Sequence, residues 1–277
     1  MKLNTILKNM DDIQKNFKTE NNKKSGAVLI TGGGKRLGSL VALNLARKGW
    51  KIILHYNESE AEANATKEKI INEGGKVDLI KKEILNQSAA NELVKLALRS
   101  CLKDKETKQF TLINNASAFL YDKGKDFDEE TLETHMHANF KIPALLIKSL
   151  YNNLSKTIDG NVINMLDAKL FGINADHFTY TLSKFSLLGL TKLAALSYAP
   201  KLRVNGVAPG ITLPNPEHSL KDFTRIQELN PLLRGSSHQD IFNAIAFLIK
   251  TSSITGETIL VDGGAHLSPQ KRDATFL

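Results

Sequence analysis

Residues 27–38 read AVLITGGGKRLG, an apolar run that ends in three consecutive glycines. A continuous apolar run bounded by glycine is typical of a buried strand in a parallel sheet, where both faces are covered. The next apolar segment, LGSLVALNLARKG, begins at Leu37 and predicts a helix that Gly49 closes. A strand, a glycine turn and a helix in this order predict the first unit of an α/β sheet.

Strand-like and helix-like segments alternate along the rest of the chain. The further predicted strands are KIILHY, KVDLIKKEI, QFTLINN, GNVINML, KLRVNGVAP and TILVDGG, each preceded by a helical segment. Residues 129–154 predict one long helix, and residues 212–236 predict an irregular loop. Ser237 and Asp240 resemble a capping box that opens a helix through Leu248. We therefore expect a single Rossmann-type doubly wound domain, with a seven-stranded parallel sheet and helices on both faces.

The predicted domain covers residues 26–277. Residues 1–25 predict a separate amphipathic extension and linker, because MKLNTILKNMDDIQKNF has apolar residues near helical spacing and the polar TENNKKSG follows it. We expect this extension to pack on its own domain or on a neighbouring subunit.

Composition narrows the classes of partner and compartment. The net charge is +8, but the basic residues are spread over Lys-rich helices without a long run, which favours a solvated surface over nucleic-acid binding. The chain has one cysteine, Cys101, so it forms no internal disulfide and fits a reducing compartment. No apolar run reaches the roughly 18 residues that span a bilayer. We expect a cytoplasmic protein that binds neither membrane nor nucleic acid.

Histidine and cysteine spacing does not favour a metal site. His135 and His137 lie two residues apart, which on a helix places them on different faces. One cysteine cannot build a thiolate site, and no pair of histidines four apart stands beside an acid. We therefore expect no metal.

The turn after the first strand is a candidate phosphate site. Gly32, Gly33 and Gly34 allow close backbone approach, and the following helix offers its N-terminal N–H groups to an anion; a purely structural tight turn is the alternative. The second strand ends in HYNES, residues 55–59, without the acid that usually holds a free ribose 2′-hydroxyl. Lys35 and Arg36 supply positive charge beside it, which predicts NADP(H) rather than NAD, although Glu58 adds a negative charge nearby.

Candidate proton-transfer residues follow the fifth strand. Tyr180 and Lys184 stand one helical turn apart and share a face, and Asp167 lies thirteen residues before the tyrosine at a strand end. A free phenol has a pKa of about 10. We expect the lysine ammonium to lower that pKa, so that Tyr180 relays a proton beside a nicotinamide. Ordinary helix and strand-end residues are the alternative interpretation.

Several motifs together resemble the short-chain dehydrogenase/reductase family. The glycine turn, the NNA after the fourth strand, Tyr-x-x-x-Lys and Pro209-Gly210 after the sixth strand occur in the family's order. Arg36 stands where that family usually has glycine, and Asp167 where it usually has the catalytic serine. These two residues, with HYNES and NNAS-x-F, resemble the pteridine reductase branch, which includes dihydromonapterin- and dihydrofolate-reducing enzymes.

The resemblance implies a role for each matching residue. Asp167 and Tyr180 would deliver the proton, Lys184 would hold the nicotinamide ribose, and Asn139 would support a water near the lysine. The pterin would contact Arg36, Ser117, Phe119, Asp167 and Tyr180, with Phe119 stacked over the ring. The implied cofactor contacts are Gly32, Lys35, Arg36, Leu37, His55, Tyr56, Asn57, Ser59, Glu83, Asn115, Ala116, Ser117, Tyr180, Lys184, Pro209, Gly210 and Ile211. The branch commonly has arginine in place of Glu58 and aspartate in place of Glu83, and the family resemblance implies a homotetramer.

The expected activity is NADPH-dependent reduction of a dihydropterin or dihydrofolate to the tetrahydro form, with an oxidised pterin as a further substrate. Reducing a pterin C=N bond needs a hydride at carbon and a proton at nitrogen, and a carboxyl group can also hydrogen-bond the amino-pyrimidine edge. One alternative is a reductase of a carbonyl, such as a 3-oxoacyl thioester or a sugar-like ketone. Another is a non-catalytic NADP(H)-binding regulatory subunit.

Overall fold

A computed structural model describes residues 25–102, 107–214 and 219–276. The predicted extension, residues 1–25, lies outside the described residues except for Ser25, which begins the first strand. The strands are β1 (Ser25–Thr31), β2 (Lys51–Tyr56), β3 (Val77–Lys81), β4 (Thr107–Asn114), β5 (Asp159–Met165), β6 (Leu202–Pro209) and β7 (Thr258–Val261). The α-helices are α1 (Arg36–Arg47), α2 (Glu60–Asn72), α3 (Gln87–Leu102), α4 (Glu129–Met136), α5 (Ile142–Asn153), α6 (Phe178–Ser197), α7 (Leu220–Gln227) and α8 (His238–Lys250).

The seven strands form one parallel sheet in the order β3-β2-β1-β4-β5-β6-β7. In β1, Ala27 and Leu29 pack with α3, α5 and α6 on one face. Val28 and Ile30 pack with α1, α2 and α8 on the other face. Successive residues of a strand point to opposite faces, so both faces of β1 are buried. The predicted doubly wound fold is confirmed.

The sheet order places a ligand crevice at the middle of the molecule. β1 pairs with β2 on one side and with β4 on the other, so the chain reverses its direction of winding between these strands. Ligands of such sheets bind outside the carboxyl ends of the strands at this reversal. The turns after β1, β4 and β5 therefore meet at one edge, where the candidate residues lie.

Two segments differ from the sequence prediction. Residues 129–154 form α4, a single π-helical turn (His137–Lys141) and α5, instead of one helix. Pro143 lies at the start of α5 and has no N–H for an i→i−4 bond, which explains why the regular helical pattern is interrupted just before it. The region 212–236, predicted to be irregular, contains α7, whose first turn is capped because Ser219 Oγ accepts a hydrogen bond from Asp222 N.

The predicted capping box is confirmed. Ser237 Oγ accepts a hydrogen bond from the backbone N–H of Asp240, and the Asp240 carboxylate accepts one from the backbone N–H of Ser237. α8 runs from His238 to Lys250, slightly beyond the predicted end at Leu248. Among the described helices, none is both long and apolar enough to cross a bilayer.

Candidate active site

A cleft of about 1190 Å³ lies at the carboxyl edge of the sheet. It is open along the turns that follow β1, β2, β4, β5 and β6, and residues near the C-terminus form part of its wall. Of the predicted site residues, the cleft is lined by Gly32, Lys35, Arg36, Leu37, His55, Tyr56, Asn57, Ser59, Asn115, Ala116, Ser117, Phe119, Asp167, Tyr180, Lys184, Pro209, Gly210 and Ile211. Glu83 and Asn139 are not among its lining residues.

The glycine turn is packed directly against the end of β4. Gly32 has φ +60°, and a Cβ at Gly38 would lie 2.6 Å from both the Gly32 carbonyl oxygen and Asn115 Nδ2. Asn115 Nδ2 donates to the carbonyl oxygens of Thr31 and Gly32 at 3.0 and 3.1 Å. The turn is therefore held in a fixed shape with bare backbone facing the cleft, as a phosphate site requires.

His55 forms the wall of the cleft at the end of β2. Its Nε2 donates to the Lys82 carbonyl oxygen at 2.7 Å, so Nδ1 is the unprotonated ring nitrogen. Burial lowers the pKa of His55 against the effect of that hydrogen bond, so the ring is neutral at physiological pH. Nδ1 is buried without a partner in the described chain. It is an acceptor that a ligand hydroxyl could satisfy.

Glu83, expected to contact the adenine, is exposed. The residue before it, Lys82, is bonded to β2 through both backbone groups, since its N–H donates to the Tyr56 carbonyl oxygen at 3.0 Å and its carbonyl oxygen accepts from His55. The Glu83 side chain is exposed and is not among the residues that line the cleft.

Tyr180 and Asp167 form a hydrogen-bonded pair. Tyr180 is buried on α6, and its hydroxyl donates to Asp167 Oδ2 at 2.7 Å, while Asp167 Oδ1 accepts from the backbone N–H of Lys169 at 2.8 Å. Burial raises the pKa of Asp167, although its hydrogen bonds oppose the shift. Burial, and then the charge and hydrogen bond of Asp167, raise the pKa of Tyr180 well above its usual value. Both groups therefore retain their protons more strongly than they would in water.

Lys184 is buried one turn after Tyr180. Its ammonium donates to the carbonyl oxygen of Met165 at 2.8 Å, at the end of β5, and lies 5.6 Å from the centroid of the Tyr180 ring. Burial lowers the pKa of Lys184 to about 8, although the Asp167 charge opposes this. The expected lowering of the Tyr180 pKa is not observed, because burial and the Asp167 carboxylate dominate at the phenol.

Asn139 lies in the π-helical turn, behind the cleft wall. Its Oδ1 accepts hydrogen bonds from Ser117 Oγ and Ala118 N, both at 2.9 Å, and its Nδ2 donates to the Ala118 carbonyl oxygen and to Ser183 Oγ. It therefore connects the loop after β4 with α6, and it positions Ser117 at the edge of the cleft.

Phe119 is 48% exposed and presents its ring to the cleft. The ring stacks on His177 at a centroid distance of 4.2 Å and meets the Tyr180 ring edge-on at 4.7 Å. The next residue, Leu120, is held through its backbone, because its N–H donates to His135 Nε2 at 3.0 Å and its carbonyl oxygen accepts from His177 Nδ1 at 2.9 Å. The exposed aromatic face is thus fixed beside the Asp167–Tyr180 pair.

Within residues 25–102, 107–214 and 219–276, no group of three or more His, Cys, Asp or Glu side chains is arranged to hold a metal ion. His135, for example, is fully buried and bonds through Nδ1 to Thr179 Oγ1 at 2.7 Å, while His137 bonds to the Ile84 carbonyl oxygen.

A family model described as short chain dehydrogenase matches residues 26–224. The chain belongs to this family. An uncharacterized oxidoreductase of Thermotoga maritima is 32% identical over 262 residues, which are 88% of this chain and 98% of that protein. The 3-oxoacyl-[acyl-carrier-protein] reductase FabG of Staphylococcus epidermidis is 28% identical over 250 residues, covering 87% of this chain and 99% of the relative.

Solved structures of this short-chain dehydrogenase family include two that resemble the pterin-reducing branch. FolM alternative dihydrofolate reductase 1 from Brucella suis, in complex with NADP, is 32% identical with a TM-score of 0.80, and covers 88% of this chain and 96% of that one. The Brucella canis protein of the same description, also complexed with NADP, is 32% identical with a TM-score of 0.78 over 88% of this chain and 95% of that one. The chain is an oxidoreductase of the short-chain dehydrogenase family with structural neighbours in this branch.

Sequence reasoning missed several residues at the site of this short-chain dehydrogenase. His177, in the loop just before α6, is buried at the N-cap position of that helix with φ +52°, and its ring stacks on Phe119. Residues 269–275 were assigned no role, yet most of them line the cleft beside Asp167. No motif or periodicity marks these residues, because their contacts with the site join parts of the chain up to 104 residues apart.

Proposed function

We propose that this protein is an NADPH-dependent reductase that converts a dihydropterin or dihydrofolate to the tetrahydro form. The Asp167–Tyr180 pair carries the proposal, because the Tyr180 hydroxyl and Asp167 Oδ2 lie 2.7 Å apart, partly buried, at the edge of a dinucleotide-sized cleft. The likeness to the FolM alternative dihydrofolate reductases supports it. A carboxyl group in place of a hydroxyl suits an imine substrate, which requires a proton on nitrogen.

The described residues fit an NADP(H) dinucleotide. Because Gly38 has no side chain, the start of α1 packs closely on the Gly32 turn, and Gly32 and Gly34 line the cleft, so a pyrophosphate can approach the N-terminus of α1. The unpartnered Nδ1 of His55 offers a buried acceptor at the adenosine end. Lys35 and Arg36 are exposed at the same end of the cleft, and their positive charges can neutralise a 2′-phosphate. The negative charge of Glu58, which also lines the cleft, opposes this in part.

The chain supplies the proton for this reaction. Bound NADPH would provide a hydride for C6 of the pterin, and one proton must reach N5 for the C=N bond to become CH–NH. The Tyr180 hydroxyl already donates to Asp167 Oδ2, and burial raises the pKa of the Asp167 carboxyl, the direction that favours its protonated form. Asp167 in that form can donate to a ring nitrogen. Lys184 holds its charge against the end of β5, where it can bind the ribose hydroxyls.

Phe119 is the proposed platform for the pterin ring. Its face is half exposed to the cleft, and the His177 and Tyr180 rings fix its orientation. Stacking of flat rings on such a face contributes about 0.5–1.5 kcal/mol beyond burial. Ser117 and Arg36 border the same cleft and offer a hydroxyl and a guanidinium to the polar edge of the substrate.

A carbonyl reductase is the second candidate, because FabG relatives are 28% identical over nearly their full length. In that case Tyr180 and Lys184 keep their roles, whereas Asp167 has no specific one. A non-catalytic NADP(H)-binding subunit is the third candidate. It is disfavoured because a purely binding protein has no need for a buried Asp167–Tyr180 pair, whose desolvation destabilises the fold.

We also infer a cytoplasmic homotetramer. Helix α6 exposes Leu182, Phe185, Leu193 and Leu196, an apolar face suited to contact with a second copy. A single buried cysteine, Cys101, suits a reducing compartment. Light scattering coupled to gel filtration would give the mass of the assembly, and a monomer would contradict this inference.

The function is tested with purified protein, NADPH and dihydrobiopterin, dihydromonapterin or dihydrofolate, by following loss of reduced-nicotinamide absorbance. We expect oxidation that requires the pterin. Asp167→Ser and Tyr180→Phe should each lower kcat by about 100-fold or more, which is the usual contribution of a positioned acid. Asp126→Asn, at an exposed site, serves as the control for lost charge. Turnover of 3-oxoacyl thioesters without turnover of any pterin would favour the second candidate.

A further inference from the structure

The segment formed by residues 269–276 lies against the substrate end of the cleft. Gln270, Arg272, Asp273 and Thr275 are among the residues that line it. The contacts of this segment are with residues 169–177 and with Tyr121, the part of the molecule that carries Asp167, Tyr180 and the support of Phe119. The segment is therefore placed beside the proposed pterin position, and not beside the glycine turn.

Two ion pairs fix this segment to the chain that follows β5. Lys169 Nζ lies 2.9 Å from Asp273 Oδ2, with side chains only 7% and 15% exposed. Arg272 Nε donates to Asp176 Oδ2 at 2.8 Å, and the backbone N–H of Asp273 donates to the same oxygen at 2.8 Å. The Lys169–Asp273 pair is largely buried, so it contributes little net stability but holds a specific arrangement, because either charge alone would be costly to bury. The Arg272 side chain is 51% exposed, so its pair with Asp176 is a weaker, solvent-screened contact.

The end of the segment reaches the residues that orient Phe119. Thr275 Oγ1 lies 3.2 Å from Nε2 of His177, and the Phe276 ring packs on Tyr121 at a centroid distance of 4.8 Å. His177 in turn stacks on Phe119 at 4.2 Å and bonds to the Leu120 carbonyl oxygen. Displacing the segment would therefore release one side of the proposed ring platform.

Lys169 connects the segment to the proton-delivering pair. Its backbone N–H donates to Asp167 Oδ1 at 2.8 Å, while its side chain reaches Asp273 of the segment and Asn174 Oδ1. The position of the Asp167 carboxyl thus depends on a residue that the segment holds in place. The negative charge of Asp273 also contributes to raising the pKa of Asp167 and that of Tyr180.

We propose that residues 269–276 form the substrate-binding wall of the cleft within the same chain, and that Lys169 and Asp273 are positioning residues for the Asp167–Tyr180 pair. The proposal rests on the proposed function for the identity of the substrate, a flat bicyclic pterin. It assigns affinity and orientation of that substrate to the C-terminal segment, and leaves dinucleotide binding to the turns after β1 and β2.

The test compares steady-state kinetics of Asp273→Asn, Lys169→Met and Lys169→Arg with wild type, using NADPH and the dihydropterin that wild type turns over. We expect Asp273→Asn and Lys169→Met to raise KM for the pterin by about tenfold or more, with lower kcat, because misplacement of reacting groups is costly. NADPH affinity, measured by fluorescence titration, should be unchanged. Lys169→Arg should recover most of the loss, since it keeps the ion pair. Lys156→Met removes an exposed lysine outside the segment and outside the cleft lining, and should behave as wild type.

A second readout separates positioning from general loss of structure. Removing the negative charge of Asp273 should lower the pKa of the Asp167–Tyr180 pair. The alkaline decline of kcat/KM, where the acid loses its proton, should therefore move to lower pH in Asp273→Asn. Thr275→Val removes the contact with His177 without leaving an unpaired charge, and it should still raise KM for the pterin. This variant tests the proposal if the charge variants fail to fold.

Unchanged pterin KM in folded Asp273→Asn, Lys169→Met and Thr275→Val would overturn the proposal while leaving the function intact. Failure of wild type to oxidise NADPH with any pterin would instead remove the proposed function. The same variants assayed with a ketone that wild type does reduce would then decide whether the segment forms the substrate wall. A raised KM for that ketone would support the wall and an unchanged KM would reject it.

Discussion

Lys184→Met is expected to make the cofactor-free protein more stable and much less active. The ordinary pKa of a lysine is 10.5, and burial lowers that of Lys184 to about 8. At about 1.36 kcal/mol per pKa unit, this difference corresponds to about 3 kcal/mol by which the buried ammonium destabilises the fold at neutral pH. Methionine has a similar shape and no charge.

The gain is reduced by one lost hydrogen bond. Lys184 Nζ donates to the Met165 carbonyl oxygen at 2.8 Å, and leaving that acceptor unsatisfied costs about 1 kcal/mol. The net stabilisation is then about 2 kcal/mol, which raises Tm by about 5 °C in a domain of this size. Activity should fall by about 100-fold, because losing the group that holds the nicotinamide ribose misplaces the reacting atoms.

The pH dependence gives the specific signature. The folded-state pKa of Lys184 lies below its unfolded value, so the unfolded chain binds more protons between pH 8 and pH 10.5. The destabilisation by Lys184 is therefore fully present below pH 8 and disappears as pH rises through that window. The Tm advantage of Lys184→Met should shrink accordingly.

Differential scanning calorimetry at pH 7, 8, 9 and 10, at equal protein concentration, measures this effect. Lys192→Met is the matched control, because Lys192 is exposed on the same helix, α6. A Tm for Lys184→Met at or below that of wild type at pH 7, or an advantage that does not change with pH, would refute the reasoning.

Four further predictions concern the cleft and the helices that support it. Gly38→Ala places a Cβ 2.6 Å from Asn115 Nδ2 and should cost about 2 kcal/mol in urea unfolding. A Cβ at Gly189 would meet nothing within 4 Å, so Gly189→Ala should stabilise α6 by about 0.5–1 kcal/mol. A urea unfolding midpoint equal to that of wild type would contradict this. Arg36 has a φ of +50°, and Arg36→Gly should remove about 1 kcal/mol of backbone strain. The same change should weaken NADPH binding, measured by calorimetric titration. An unchanged Kd would argue against a contact between Arg36 and a phosphate. Asn139→Ala removes the hydrogen bonds to Ser117, Ala118 and Ser183 and should lower the free energy of unfolding by about 3 kcal/mol. Asn152→Ala, at an exposed position, is the control and should leave it nearly unchanged.

Local patterns were sufficient to predict the seven strands and most of the helices in their order along the chain. The apolar run of β1 and the glycines after it are adjacent in sequence, so their backbone requirements are visible directly in the letters. The capping box at Ser237 is equally local and was predicted correctly. The π-helical turn at Asn139 was not predicted. Pro143 is a local signal for an interruption, but the shape of the turn also depends on the bonds of Asn139 to α6 and to the loop after β4.

The candidate site likewise combines residues that the sequence could identify with properties that only the packed structure shows. Asp167, Tyr180 and Lys184 could be identified because strand ends and one helical turn bring them together at fixed spacing. The direction in which the pKa of Tyr180 shifts could not be predicted, because burial is a property of the packed molecule and outweighs the effect of the nearby ammonium. Glu83 matched a family position, yet its side chain is exposed and does not line the cleft of the folded chain.

The sequence by itself determined the α/β class, the glycine turn and the residues that line most of the cleft, because periodicity and strand ends are short-range features. Only the tertiary structure placed Lys169 against Asp273 and His177 against Thr275 and Phe119. The contacts of Asp273 and Thr275 join residues 104 and 98 positions apart, and ion pairs and ring stacking leave no periodic signal in the chain. The substrate wall is therefore a consequence of folding that no local pattern records.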